Sequence, residues 1–284
     1  MSVLTPQFAL EKREQLIRDG FCVIPGILQG SLLERWRAFS DEWLDRTPVD
    51  QKYRYQGSDF HISSERRFRS KRMTHPETDP WSPLVDELVD LPAAAEVCEL
   101  MGFEGREADD TVLILSKPAH GPALYWHQDF MEWNHPKACT PWPTRIFLSY
   151  YTVDTTRENG CLRAIPGSHL KRLPLHDLLP AAHGPEIQAA TDDHPAFLDH
   201  PDAVDLPVKA GDLVINDARL LHAAYPNSTD TRRTLLLQWH SLFPYPNVPS
   251  WWKGPVPEAY YDYDPKAVYE PSRIPGKYLA DFNS

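Results

Sequence analysis

No apolar run in this sequence approaches the roughly 20 residues that a helix needs to cross a bilayer. The opening Met1-Ser2-Val3-Leu4-Thr5-Pro6 lacks the basic-then-apolar layout of a secretory signal. Positive charge is also in short supply: 29 Lys and Arg stand against 40 Asp and Glu, a formal charge of −11. A chain of that sign is a poor partner for nucleic acid or for an anionic membrane surface. Cysteine is scarce and scattered. Cys22, Cys98, Cys139 and Cys161 form no C-x-x-C pair, which argues against a zinc knot or a disulfide frame and for free thiols in a reducing, cytoplasmic setting. Internal repeats are missing too. What is plentiful is apolar and aromatic matter, 42% and 11% of 284 residues, enough to bury one sizeable core, so a single domain is expected over residues 1–284.

In chain order, Thr5 as N-cap and Pro6 at the first helical position open a short helix that Asp19-Gly20 ends. Phe21-Cys22-Val23-Ile24 is a compact strand, and Ser31 with Glu34 has the form of a capping box ahead of Leu32, Leu33, Trp36, Phe39 and Trp43. Residues 51–74 are polar and carry a basic cluster, Arg66, Arg67, Arg69, Lys71 and Arg72, readable as a solvated loop or as an anion-binding wall. A third helix is expected over 84–100, closed by Gly102. After this helical part, about 1–105, strands are expected at 111–115, 125–130 and 146–151, the last turned at Asn159-Gly160 into 161–165. Residues 170–207, rich in Pro, His and Asp, form a long insertion expected to act as a lid. Strands at 212–216 and 233–243 complete a mainly β core of about 106–243, and the aromatic, Pro-rich tail 244–284 should wrap it irregularly.

The densest chemistry lies in Ala123-Leu124-Tyr125-Trp126-His127-Gln128-Asp129-Phe130. A strand turns side chains i and i+2 to one face, so His127 and Asp129 would point together into the interior. An imidazole and a carboxylate side by side are two of the three protein ligands of a 2-His-1-carboxylate set, which leaves positions on Fe(II) open. A second H-x-D, His200-Pro201-Asp202, falls in the turn-rich insertion and is set aside as loop. The third ligand must come from a distant strand that a double-stranded barrel returns beside the first, and His222 is the candidate, with Arg233 beyond it.

Trp126-His127-Gln128-Asp129, Glu158-Asn159-Gly160-Cys161-Leu162 leading to Ile165-Pro166-Gly167-Ser168-His169, Gly211-Asp212, and His222 with Pro226-Asn227-Ser228 and Arg233 occur in the order seen in a known family. On these motifs the sequence resembles the phytanoyl-CoA dioxygenase family of Fe(II)- and 2-oxoglutarate-dependent oxygenases, over about residues 15–243. The resemblance implies a jelly-roll, cupin-like double-stranded β-helix with buttressing α-helices. It also implies His127, Asp129 and His222 as catalytic iron ligands, 2-oxoglutarate and O2 as cosubstrates, and Arg233 as the partner of the distal carboxylate of 2-oxoglutarate. Many members carry a hydroxyl residue two positions after the distal His, where this chain has Ala224; Ser149, Thr111 or Lys117 would supply the missing donor. Arg72 stands where some relatives place a basic residue near the substrate. Trp133 and Trp142, following the His127 strand, are either packing or substrate wall, whereas Trp36, Trp43 and Trp81 read as core.

The reaction expected is hydroxylation or desaturation of a small-molecule substrate by a monomer or homodimer with no nucleic-acid or membrane partner. The rivals are a cupin-type metal-dependent hydrolase or isomerase, in which the same ligands activate water, and a cupin-like binding module without catalysis. Arg233 discriminates, because a hydrolase has no use for a carboxylate clamp. Alternation along the last strand puts Arg233, Leu235, Leu237 and Trp239 on an inward face and Arg232, Thr234, Leu236, Gln238 and His240 on a polar, outward one.

Overall fold

The computed structural model describes residues 4–46, 68–71, 81–191 and 193–279. Helix α1, Pro6–Asp19, has the expected ends: the Thr5 side chain accepts the Phe8 N–H at 3.1 Å, and Gly20, in the left-handed region, returns its N–H to the Leu16 carbonyl. Strand β1 is Phe21–Ile24. Helix α2, Gly30–Arg46, begins one residue before Ser31, so the expected capping box gives way to a first turn in which Glu34 pairs with Arg37 at 2.7 Å. After β2, Phe68–Lys71, the single helix expected over 84–100 is two, α3 Ser82–Val89 and α4 Pro92–Leu100. Pro92 is the reason. It lacks an N–H and its ring collides with the carbonyl a turn earlier, so the helix stops and restarts with Pro92 at its first position.

The remaining strands are β3 Glu107–Lys117, β4 Leu124–His127, β5 Arg145–Tyr151, β6 Leu162–Ala164, β7 Val204–Leu206, β8 Leu213–Asp217, β9 His222–Ala224 and β10 Arg233–Ser241. They form a six-stranded sheet, β1-β8-β5-β10-β3-β2, facing a four-stranded one, β4-β9-β6-β7, with antiparallel neighbours throughout. This is a mainly β jelly roll. The turn at Asn159-Gly160 is not a hairpin, since β5 and β6 lie in different sheets and the chain crosses the sandwich there. The insertion ends as the edge strand β7.

Period-2 alternation divides the large sheet cleanly. Leu113, Phe147, Tyr151, Leu235 and Leu237 face the interior between the sheets, while Val112, Ile114, Ile146, Leu148, Tyr150 and Leu236 face the helices. There Leu16, Trp36, Leu88 and Val97 cover them. The outward face of β10 is therefore not solvated as expected: Thr234, Gln238 and His240 are buried. A buried strut fixes the loop after β4 to the end of β8. Arg219 pairs with Asp217 at 2.6 Å and donates to the carbonyls of Ala138, Thr140 and Trp142. The tail packs back on the helical layer, with the Trp251 indole donating to Gly102 O at 2.9 Å and the Arg13 guanidinium 4.3 Å above its ring. Among the described residues no helix is long and apolar enough to cross a membrane.

Candidate active site

Strands β4 and β9 pair so that His127 stands directly opposite His222, which brings residues distant in sequence to ring centroids 4.2 Å apart. Each imidazole is fixed by its own backbone. Nδ1 of His127 donates to Tyr125 O at 2.8 Å, and Nδ1 of His222 donates to Leu220 O at 3.0 Å. A carbonyl can only accept, so each ring carries its proton on Nδ1 and turns an Nε2 lone pair into the site. Asp129 sits between them, Oδ1 3.7 Å from His127 Nε2 and Oδ2 3.6 Å from His222 Nε2. It does so from a loop, because β4 ends at His127; the Asp129 N–H is held by Ala218 O at 3.1 Å. The approach to His222 is also braced: in the Pro166-Gly167-Ser168-His169 turn, Ser168 Oγ accepts the Leu221 N–H at 2.9 Å.

A third imidazole completes the cluster. His183, from the insertion, places Nε2 3.5 Å from Asp129 Oδ1 and Nδ1 2.8 Å from the Tyr125 hydroxyl. Donor atoms of His127, Asp129 and His183 all lie within 4.8 Å of one another, a grouping able to hold a metal ion. The sequence had not singled His183 out, since His176, His194 and His200 share its turn-rich segment and no spacing separates them. Burial, and then the neighbouring His222, push the His127 imidazole well below its ordinary range, so it is neutral. Burial works against the Asp129 carboxylate, but the hydrogen bond from His183 and the flanking imidazoles outweigh it and hold the group below the usual carboxylate range. The donor set thus includes an anionic Asp129 beside a neutral His127 imidazole.

These side chains open into a cavity of about 540 Å³ between the sheets, walled by Leu113, Leu235, Leu237, Phe147 and Trp239. Arg233 and Lys117 also line it. They are cross-strand partners on β10 and β3, 7% and 3% exposed. Burial, with Arg233 second, pushes Lys117 well below its ordinary range, and burial lowers Arg233. Lys117 Nζ donates to Pro122 O at 2.5 Å, while Arg233 Nε is buried with no hydrogen-bond partner among the described residues. Among the described residues no carboxylate pairs with either cation. Gly160 is what lets Lys117 pass: its φ is +85°, and a Cβ there would lie 2.5 Å from Lys117 Cδ and 2.7 Å from Tyr225 O.

Of the other residues singled out in the sequence, Ser149 lines the cavity but Thr111 does not; it lies midway along β3 with its hydroxyl 3.4 Å from Asp110 Oδ1. Arg72 lies outside the described residues. Trp133 and Trp142 are fully buried on the helix side, not in the cavity wall, because the chain turns away after Asp129. Trp133 packs edge-on against Phe130 at 5.0 Å, and Trp142 against Trp252 and Tyr260 at 5.7 Å each. At the mouth, Arg145 pairs with Asp109 at 2.7 Å, and the tail contributes Arg273.

Relatives share this arrangement of strands. The structure of SnoN, an epimerase of nogalamycin biosynthesis in complex with Fe3+, alpha ketoglutarate and nogalamycin RO, superposes with a TM-score of 0.58 at 19% identity, covering 96% of this chain and 98% of SnoN. HygX from Streptomyces hygroscopicus, with nickel and 2-oxoglutarate bound, gives 0.57 at 18% identity over 82% and 86%. Phytanoyl-CoA dioxygenase 1 of Oryza sativa subsp. japonica is 34% identical over 130 residues, 44% of this chain and 41% of that protein. Ectoine dioxygenase of Sphingopyxis alaskensis is 26% identical over 172 residues, 54% and 56% respectively. The matched stretch thus spans about half the length of these curated relatives. The profile of one family runs through residues 16–235, most of the chain, and takes in His127, His222 and Arg233, so this chain belongs to the phytanoyl-CoA dioxygenase (PhyH) family.

Proposed function

We propose that this chain is an Fe(II)- and 2-oxoglutarate-dependent oxygenase that hydroxylates or desaturates a small molecule and releases succinate and CO2. One observation carries the reading: a single cavity holds a carboxylate flanked by imidazoles and, on another wall, two buried cations with no acid beside them among the described residues. The donor chemistry suits the metal. His127 and His222 offer Nε2 lone pairs, Asp129 offers an anion, and this is the 2-His-1-carboxylate combination preferred by non-heme Fe(II). The cations suit the cosubstrate, because burying Arg233 and Lys117 side by side is unfavourable until an anion joins them. A guanidinium fork matches a carboxylate in two parallel hydrogen bonds, and Lys117 adds a second charge. Ser149 lines the same cavity, as do Ser116 and Tyr151, and offers a hydroxyl donor where Ala224 has none.

Relatives named ectoine dioxygenase and L-proline trans-4-hydroxylase, and neighbours solved with Fe3+ or nickel and the cosubstrate, support the class. Bound iron with its cosubstrate and O2 supplies oxidation of an unactivated C–H bond. The chain's own part is placement: Asp129 and the two histidines hold one end of the cavity, Arg233 and Lys117 orient the cosubstrate, and Phe147, Trp239 and the leucines exclude water and seat an apolar skeleton. A hydrolase on the same ligands would leave the Arg233–Lys117 pair without purpose. The test is anaerobic reconstitution with Fe(II), then O2 and 2-oxoglutarate with a panel of small molecules, reading succinate by mass spectrometry. Absence of both succinate release and any 2-oxoglutarate-induced rise in melting temperature would overturn the proposal.

A further inference from the structure

We propose that His183 is a positioning residue that fixes which oxygen of Asp129 is offered to the metal, and that it makes this choice depend on the seating of the 170–207 segment. The inference rests on the metal reading above. Three imidazoles surround one carboxylate, and the partner at Nδ1 sorts them. In His127 and His222 that partner is a backbone carbonyl, which obliges Nδ1 to carry the proton and leaves Nε2 bare. In His183 it is the Tyr125 hydroxyl, whose oxygen accepts the His183 backbone N–H at 2.8 Å and which, unlike a carbonyl, can donate to Nδ1, 2.8 Å away. The His183 ring proton then belongs on Nε2, the nitrogen 3.5 Å from Asp129 Oδ1. Two rings offer lone pairs; the third offers an N–H.

Engaging Oδ1 in a hydrogen bond leaves Oδ2, on the His222 side, as the oxygen free for a metal. That restriction matters because a carboxylate giving both oxygens would occupy a position that the 2-His-1-carboxylate set keeps open for cosubstrate and oxygen. The backbone is built to aim the ring: His183 has a left-handed φ of 61°, unusual for a residue with a side chain. The segment that carries it grips β4 from outside. Ile187 and Ala196 cluster with Tyr125, the Phe197 ring lies 6.2 Å from Tyr125, and the Trp126 indole donates to Leu198 O at 2.9 Å. Lifting the segment would withdraw the Nε2–H from Asp129.

The test uses metal binding by the full chain, with no turnover. Apo-protein is titrated anaerobically with Co(II), reading affinity and the d–d absorption band. His183→Ala is expected to weaken Co(II) binding by about 10–100-fold, the usual effect of losing a group that orients a ligand, and to alter the band. His183→Gln, whose amide N–H can still reach the carboxylate, should recover most of both, and Tyr125→Phe, which leaves the ring but frees its tautomer, should fall between; either keeps the proposal testable if the alanine variant fails to fold. Wild-type affinity and band in His183→Ala and Tyr125→Phe would overturn it. So would a His183→Gln as weak as His183→Ala, which would make His183 a ligand. A wild-type protein that takes up no Co(II) would refute the metal reading itself, a failure distinct from the other two.

Discussion

Arg233→Ala should remove most of the affinity for 2-oxoglutarate and leave stability without cosubstrate nearly unchanged, whereas Arg232→Ala, one residue away, should leave that affinity nearly unchanged. Arg233 lies on the inner face of β10 beside Lys117, and its truncation removes charge-assisted hydrogen bonds that contribute roughly 1.5–3 kcal/mol, or about 10–150-fold in the apparent KM. Lys117 remains, which bounds the loss. The same truncation separates two buried like charges, so the protein without cosubstrate has little to lose. Arg232 points the other way, pairing with Asp41 at 3.2 Å and with Asp45 on α2. Both acids are more than 60% exposed, and such pairs contribute about 0–1 kcal/mol. The assay is the rise in stability on adding 2-oxoglutarate to metal-loaded protein. At a concentration of 100 times the wild-type Kd the rise is about 2.7 kcal/mol, and a 100-fold weaker variant retains about 0.4 kcal/mol. An unchanged rise in Arg233→Ala, with a lost one in Arg232→Ala, would mean that the inward face of β10 has been misassigned.

His222→Ala and His127→Ala should each abolish Fe(II)-dependent succinate release while the chain stays folded; more than trace activity in His222→Ala would remove that residue from the ligand set. Acid should destabilise the fold through its buried histidines, of which burial holds His169 at about 4 and His240 at about 3. Their depressed values mean stability that is complete above about pH 6.5 and is lost as the pH falls toward those values, of order 3 kcal/mol for His169 alone. Urea midpoints that do not fall between pH 7 and pH 4.5 would contradict this. Trp142→Ala should cost about 3–5 kcal/mol of stability, as expected for a buried Trp, and leave the KM for 2-oxoglutarate unchanged; altered kinetics at wild-type stability would return Trp142 to the substrate wall.

The elements legible in the sequence are those whose signals are local. The Thr5-Pro6 start and Gly20 stop of α1 depend on groups within one turn, and the structure has both where the sequence puts them. Pro92 was an equally local signal, and it splits the expected helix in two. The Asn159-Gly160 turn shows the limit of such reasoning. Its two residues specify a left-handed bend, which is present at Gly160, but nothing in them says whether the next strand pairs with the last or crosses to the opposite sheet.

The candidate site divides along the same line. His127 and Asp129 were legible because two residues of spacing constrain direction, even though Asp129 proves to lie just past the strand. Alternation likewise separated Arg233 from Arg232, yet it established only that the two faces of β10 differ, and the helices that bury Thr234, Gln238 and His240 are invisible to it. For Trp133 and Trp142 adjacency in sequence leaves packing and substrate wall both open, because it carries no direction once a strand has ended, and the structure decides for packing. Lys117, named from the sequence only as one of three possible donors, and His183, not named at all, show what remains out of reach. Lys117 acquires its meaning from the β3–β10 register that sets it opposite Arg233, and His183 from a left-handed turn that carries one of several loop histidines onto Asp129. Neither relation exists within any short window of the chain. Both groups gain their chemistry from surroundings supplied by tertiary structure: burial and then a second cation for Lys117, and a tyrosine hydroxyl at Nδ1 for His183, on which the proposed roles depend.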